Sequence, residues 1–82
     1  MHHVYILISQ NSPDKIYIGI TTDLDHRIAE HNGGESSYSR RYAPWRLETY
    51  VSFSNKKLAF AFERYLKAGS GYAFLKKRFL PK

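Results

Sequence analysis

The stretch K15-IYIGITTDLDHRIAEHN-32 decides the reading of this chain. Ile16, Ile18 and Ile20 alternate with Tyr17, Gly19 and Thr21, the period of a strand with two different faces. Thr22 then offers a helix N-cap, and Asp23 and Asp25 supply first-turn acids that suit the helix dipole. Leu24 and Ile28 form a core stripe, Arg27 and His31 share the neighbouring stripe, and Gly33-Gly34 ends the helix. A glycine in a strand interior costs stability unless something approaches the backbone closely there. Gly19 therefore marks either a bulge or a place of close approach, beside Tyr17 and one element before Arg27 and His31.

Working backwards, HVYILIS (residues 3–9) is a β-branched and aromatic strand, and QNSPD (residues 10–14) is a cluster of turn formers. The opening is thus an antiparallel hairpin. Pairing Ser9 with Lys15 sets Tyr5 opposite Gly19, on the same face as Tyr17. Working forwards, ESSYSRRYAP (residues 35–44) reads as a loop, and WRLETYVSF (residues 45–53) as a third strand. Trp45, Leu47, Val51 and Phe53 would share one face of it. Ser54 is expected to cap a helix over about residues 55–68, with Leu58, Phe62, Tyr65 and Leu66 inward and Gly69 as its stop. A shorter helix from Ser70 would turn Tyr72, Leu75 and Phe79 inward and Lys76, Lys77 and Arg78 outward. The order is ββαβαα: an α+β domain spanning residues 1–82, with a central three-stranded antiparallel sheet flanked by helices.

At 82 residues the core is thin but sufficient for one domain. Cysteine is absent, which removes disulfides, thiolate zinc sites and cysteine nucleophiles, and fits a reducing compartment. The longest apolar run, VYILI, is too short to span a bilayer, so a cytoplasmic protein without membrane contact is expected. The net charge of +6 is unevenly spread. Residues 1–41 carry four cations against five acids, and residues 42–82 nine cations against two acids. That asymmetry points to a polyanion such as nucleic acid, or to a solvated basic helix.

Phosphate-loop, dinucleotide and zinc-protease motifs are all missing. Tyr5 and Tyr17 place two phenols over the bare backbone at Gly19, yet a phenol titrates near pH 10 and needs an activating neighbour to act as a base. Arg27 could hold a phosphate with His31 one turn away to carry a proton, or it could simply pair with Asp23 or Glu30. Glu63 is the only acid on a basic helix. It either pairs with Lys67 four residues on, or holds a hard cation that keeps most of its waters. YSRRYAPWR (residues 38–46) interleaves arginine with aromatic rings, a composition suited to phosphate contact and base stacking.

With VYIL, KIYIG, DLDHRIAEHN and FERYLKAGSGYAFLKKRF in that order, the chain resembles the GIY-YIG nuclease superfamily. It is most similar to the short stand-alone bacterial members related to the excinuclease nuclease domain. His3-Val4-Tyr5 corresponds to the first motif and Tyr17-Ile18-Gly19 to the second; Arg27, His31-Asn32 and Glu63 follow in place. His3 stands where the first motif carries a glycine, and no counterpart of a late asparagine follows Asn55.

The resemblance implies a metal-dependent endonuclease with catalytic Tyr5, Tyr17, Arg27, His31 and Glu63. Tyr5 would act as or orient the base, helped by Tyr17 and His31, and Arg27 would stabilise charge on the phosphate. Glu63 would hold one divalent ion, Mg²⁺ or Mn²⁺. DNA ranks ahead of RNA as substrate, contacted through Gly19, Arg40, Arg41, Lys76, Lys77 and Arg78. So small a domain leaves room for a homodimer or a protein partner that supplies specificity. A non-catalytic nucleic-acid-binding module of the same fold is the competing expectation.

Overall fold

In the computed structural model, which describes residues 1–34 and 37–81, the hairpin forms as its alternation dictates. Strands β1 (His2–Ser9) and β2 (Ile16–Thr21) pair antiparallel, with Tyr5 opposite Gly19 and Val4 opposite Ile20. The Ser9 amide donates to the Lys15 carbonyl across the turn at 3.1 Å. Helix α1 (Leu24–Asn32) follows, then a short helix α2 (Ser37–Arg41), β3 (Trp45–Phe53), α3 (Lys56–Leu66) and α4 (Gly69–Arg78). The sheet order is β2-β1-β3, with both neighbours antiparallel to β1, so β2 is an edge strand.

The sheet is covered on both faces, which gives two cores. Val4, Ile6 and Ile18 pack with Ala59, Leu66 and Leu75 of α3 and α4, joined by Ile16, Ile20, Phe62 and Phe74. On the other face Tyr5, Leu7 and Trp45 pack beneath α1 and the α2–β3 connection, joined by Tyr17, Leu24, Ile28 and Tyr42. The alternation expected for β1 and β2 is therefore the division between the two cores.

Four local expectations are corrected. The segment read as a loop over residues 35–44 contains α2, too short to form alone and held by packing; Trp45 Nε1 donates to the Ser39 carbonyl at 2.8 Å. Glu35 and Ser36 lie outside the described residues. In β3 a register shift opposite Ile6 and Leu7 adds one residue, so Ile6 faces Thr49 and Leu7 faces Leu47. This bulge reverses the phase: Trp45 and Leu47 join the Tyr5 core, whereas Phe53 joins the opposite one.

The caps sit one residue later than expected. Asp23, not Thr22, accepts from the His26 amide, and Asn55, not Ser54, accepts from the Leu58 amide. Lastly, α3 is rotated so that Ala59, Phe62 and Leu66 face inward, while Leu58 and Tyr65 are exposed, as is Tyr72 on α4. The rotation lets α4 pack tightly on the end of α3: a Cβ at buried Gly71 would overlap the Tyr65 carbonyl. Among the described residues no helix is long and apolar enough to cross a membrane.

Candidate active site

The pairing of Tyr5 with Gly19 has a local consequence. A Cβ at residue 19 would lie 2.5 Å from Tyr5 Cζ and 2.9 Å from Cε1, closer than real Cβ contacts come. The absent side chain is what lets the Tyr5 phenol lie across β2. From there its hydroxyl reaches α1, where Arg27 and His31 stand one turn apart. Arg27 Nε donates to Tyr5 Oη at 3.4 Å, and His31 Nε2 lies 3.0 Å from the same oxygen. Tyr17 packs against the imidazole, with ring centroids 4.4 Å apart, and runs near-parallel to Tyr5.

Protonation follows from these contacts. Burial, and then the Arg27 charge, hold His31 below its ordinary value, with Glu30 opposing, so the ring is neutral at pH 7. An arginine N–H must donate, so Tyr5 accepts from Arg27 and keeps its own O–H available for His31 Nε2, an arrangement that suits the ring tautomer protonated on Nδ1. Nδ1–H is then left to donate to Ser39 Oγ, 2.7 Å away. Burial also raises the Tyr5 phenol above its ordinary value, against the hydrogen bond from Arg27. Hydrogen bonds to Tyr5 and Glu30 keep Arg27 firmly charged. Tyr5, His31 and Ser39 are all buried, and Arg27, with its side chain 44% exposed, links the phenol to solvent.

Four of the five expected catalytic residues thus come together: Tyr5, Tyr17, Arg27 and His31. Glu63 does not touch them. It belongs to α3, on the opposite face of the sheet, and its carboxylate pairs with Lys67 at 2.5 Å. Around it, Lys56 and Phe60 sit beside Ile20 and Thr21, and Lys67 beside Ile16 and Ile18. Glu63 therefore stands alongside the middle of β2, with that edge strand between it and the phenols. Arg40 and Arg41 are exposed on α2, on the phenol side, and Lys76, Lys77 and Arg78 are exposed on α4 in the other layer.

Ser39 is the member that sequence reasoning missed, because it lies in the segment read as a loop and a lone serine carries no periodic signal. Asn32 has a second unread role. Its side chain accepts from the Trp45 amide at 2.6 Å and donates to the Trp45 carbonyl at 3.2 Å, fixing the end of α1 to the start of β3.

A family model described as the GIY-YIG catalytic domain matches residues 1–73. The chain belongs to the GIY-YIG family. Among its relatives, a UPF0213 protein of Halobacterium salinarum is 40% identical over 68 residues, spanning 82% of this chain and 86% of the relative. The structure-specific endonuclease subunit SLX1 homolog of Giardia intestinalis is 38% identical over 65 residues, which are 72% of this chain but 18% of that protein. The solution structure of the UPF0213 protein BH0048 from Bacillus halodurans aligns with a TM-score of 0.57 at 31% identity, covering 98% of this chain and 87% of that one.

The buried imidazole gives this GIY-YIG domain an expected pH dependence. His31 binds a proton less readily in the folded protein than in the unfolded chain, whose value is near 6.5. Stability should therefore rise with pH through the window between the lowered folded value and 6.5, and level off above it. Urea unfolding in steps between pH 5 and pH 8 (a range about the ordinary histidine value) should show that slope, and His31→Gln should flatten it. Parallel profiles for the two proteins would assign the slope to other groups.

Proposed function

We propose that this GIY-YIG domain is a metal-dependent endonuclease that hydrolyses phosphodiester bonds, in DNA ahead of RNA. The observation that carries the proposal is the Tyr5 hydroxyl, held over Gly19 between a charged Arg27 and a neutral His31. A phenol with a raised pKa is a poor base alone. Here its proton has a destination: as Tyr5 Oη takes a proton from water, its own passes to His31 Nε2. The resulting imidazolium keeps its Nδ1–H bond to Ser39. Arg27 is the part of this group that reaches solvent, and its guanidinium suits a phosphate oxygen. Phosphate binding there would draw Arg27 outward and uncover the phenol.

Family membership also implies a divalent ion. Among the described residues no group of three or more His, Asp or Glu gathers around a common point. Glu63 alone still fits a hard ion of the Mg²⁺ kind, which takes one or two carboxylates and fills its shell with water and phosphate oxygens. Such an ion, when bound, would neutralise charge on the phosphate and its leaving oxygen. A phosphodiester in reach of both Arg27 and Glu63 has to lie across the β2 edge near Gly19.

The competing reading is a nucleic-acid-binding module without turnover, favoured by the complete burial of Tyr5 and by the pairing of Glu63 with Lys67. Incubation with single-stranded, duplex and branched DNA and with RNA, in Mg²⁺ or Mn²⁺ against chelator, separates the two. Cleavage of at least one DNA that stops in chelator is expected; a purified protein that binds these substrates and cuts none would make it a binding module.

Either reading makes binding electrostatic. Contacts from Arg40, Arg41, Lys76, Lys77 and Arg78 should make log affinity fall with log salt at a slope of about −0.9 per duplex phosphate neutralised. A flat response between low and moderate salt would exclude backbone contact through these side chains.

A further inference from the structure

Beside edge strand β2 runs a groove of about 400 Å³ lined by Ile16, Tyr17, Ile18, Tyr38, Lys67 and Tyr72. It joins the two helical layers. Tyr17 and Tyr38 border it on the Tyr5 side, with ring centroids 6.2 Å apart, and Lys67 and Tyr72 border it from the α3–α4 side. Among the described residues that line it Lys67 is the only charged one, and a further ammonium, that of Lys76, lies 5.7 Å from the Tyr72 ring centre. Three phenol rings and a cation fit a nucleotide, the rings taking sugar or base and the ammonium the phosphate.

Lys67 is also the partner of Glu63. Its ammonium is 2.5 Å from Glu63 Oε2, yet its side chain is 50% exposed, while that of Glu63 is 13% exposed. One carboxylate with a lysine ammonium against it is a poor seat for a dication, since the two cations repel. The Lys67 ammonium, half-exposed on a flexible stem, can exchange partners while keeping its water, and Glu63 is the sheltered member of the pair. We propose that the groove takes a nucleotide phosphate through Lys67, and that Lys67 leaves Glu63 to bind it. The freed carboxylate then accepts the divalent ion. Nucleic acid and metal therefore bind cooperatively, each raising the affinity for the other by the same factor. This rests on the reading of Glu63 as the metal ligand.

Mn²⁺ titrations followed by electron paramagnetic resonance test the exchange on the full chain. Thymidine 3′,5′-bisphosphate, which has no internucleotide bond to cut, serves as the phosphate probe. Lys67→Gln should bind Mn²⁺ about tenfold more tightly than wild type, within the range usual for coupled sites. The bisphosphate should tighten Mn²⁺ binding to wild type by a similar factor and leave Lys67→Gln unchanged. Both are read against Glu63→Gln, which reports Mn²⁺ held by the bisphosphate alone. Equal Mn²⁺ affinity of wild type and Lys67→Gln, with and without the bisphosphate, would overturn the exchange. The reading of Glu63 fails separately if Lys67→Gln/Glu63→Gln binds Mn²⁺ as tightly as Lys67→Gln alone.

Discussion

Gly19→Ala is expected to abolish cleavage and to lower the melting temperature by about 10–40 °C, although it adds one methyl group. That methyl would sit 2.5 Å from Tyr5 Cζ, and the ring it meets has nowhere to go. Tyr5 is wholly buried, packed with Leu7 and Trp45 and stacked near Tyr17. Overpacking of this kind costs about 1–3 kcal/mol. Moving the ring also breaks its hydrogen bonds to His31 and Arg27, at about 1 kcal/mol each. In a domain of this size each kcal/mol shifts melting by about 4–8 °C. The loss of activity should exceed the loss of stability, because the displaced phenol no longer shares its proton with His31. The imidazole resonances of His31 should move in the same variant. A Gly19→Ala protein that melts with wild type and cuts at the wild-type rate would mean that the phenol is not held over this residue.

The half of the site built on the hairpin and the first helix was legible in the sequence. Alternation in β1 and β2, a turn rich in Pro, Asn and Ser, and a helix starting at once after β2 leave little freedom in the register. Tyr5, Gly19, Arg27 and His31 are all fixed by that register. Pairings that depend on a break in periodicity were not legible. The extra residue in β3 reverses which side chains enter which core, and it has no compositional signature, so Trp45 and Phe53 read as neighbours on one face yet lie on opposite ones.

Helix α3 shows a different limit. Leu58, Phe62, Tyr65 and Leu66 follow a helical stripe as well as Ala59, Phe62 and Leu66 do, and Leu58 is more apolar than Ala59, so the sequence places Leu58 and Tyr65 inward, where the structure exposes them. The choice was settled by the close approach of α4 at Gly71, a contact between elements. The same kind of information decides the surroundings of Glu63. Spacing identified Lys67 as its helical neighbour and the pair forms, but the sequence could not show that α3 sits on the sheet face opposite α1. Ser39 lay out of reach for a related reason: its role exists only where α2 meets the end of α1.

The central claim is that an ion held at Glu63 acts together with the Tyr5 group across the β2 edge, and Glu63→Gln tests it most directly. The substitution keeps size and helical propensity and removes the charge that a cation needs. Its structural cost is modest, because Gln refills the sheltered place of Glu63, whose side chain is 13% exposed, and the lost partner, Lys67, is half-exposed and keeps its water. Affinity for nucleic acid in chelator should hold or rise slightly, since one negative charge near the phosphates is gone. The decisive measurement is the single-turnover cleavage rate of wild type and Glu63→Gln on the same labelled DNA, in Mg²⁺ or Mn²⁺ and in chelator. The account predicts metal-dependent cutting by wild type and none by Glu63→Gln, with both proteins folded and binding DNA. Glu63→Gln cutting at the wild-type rate, with the same dependence on metal, would contradict it.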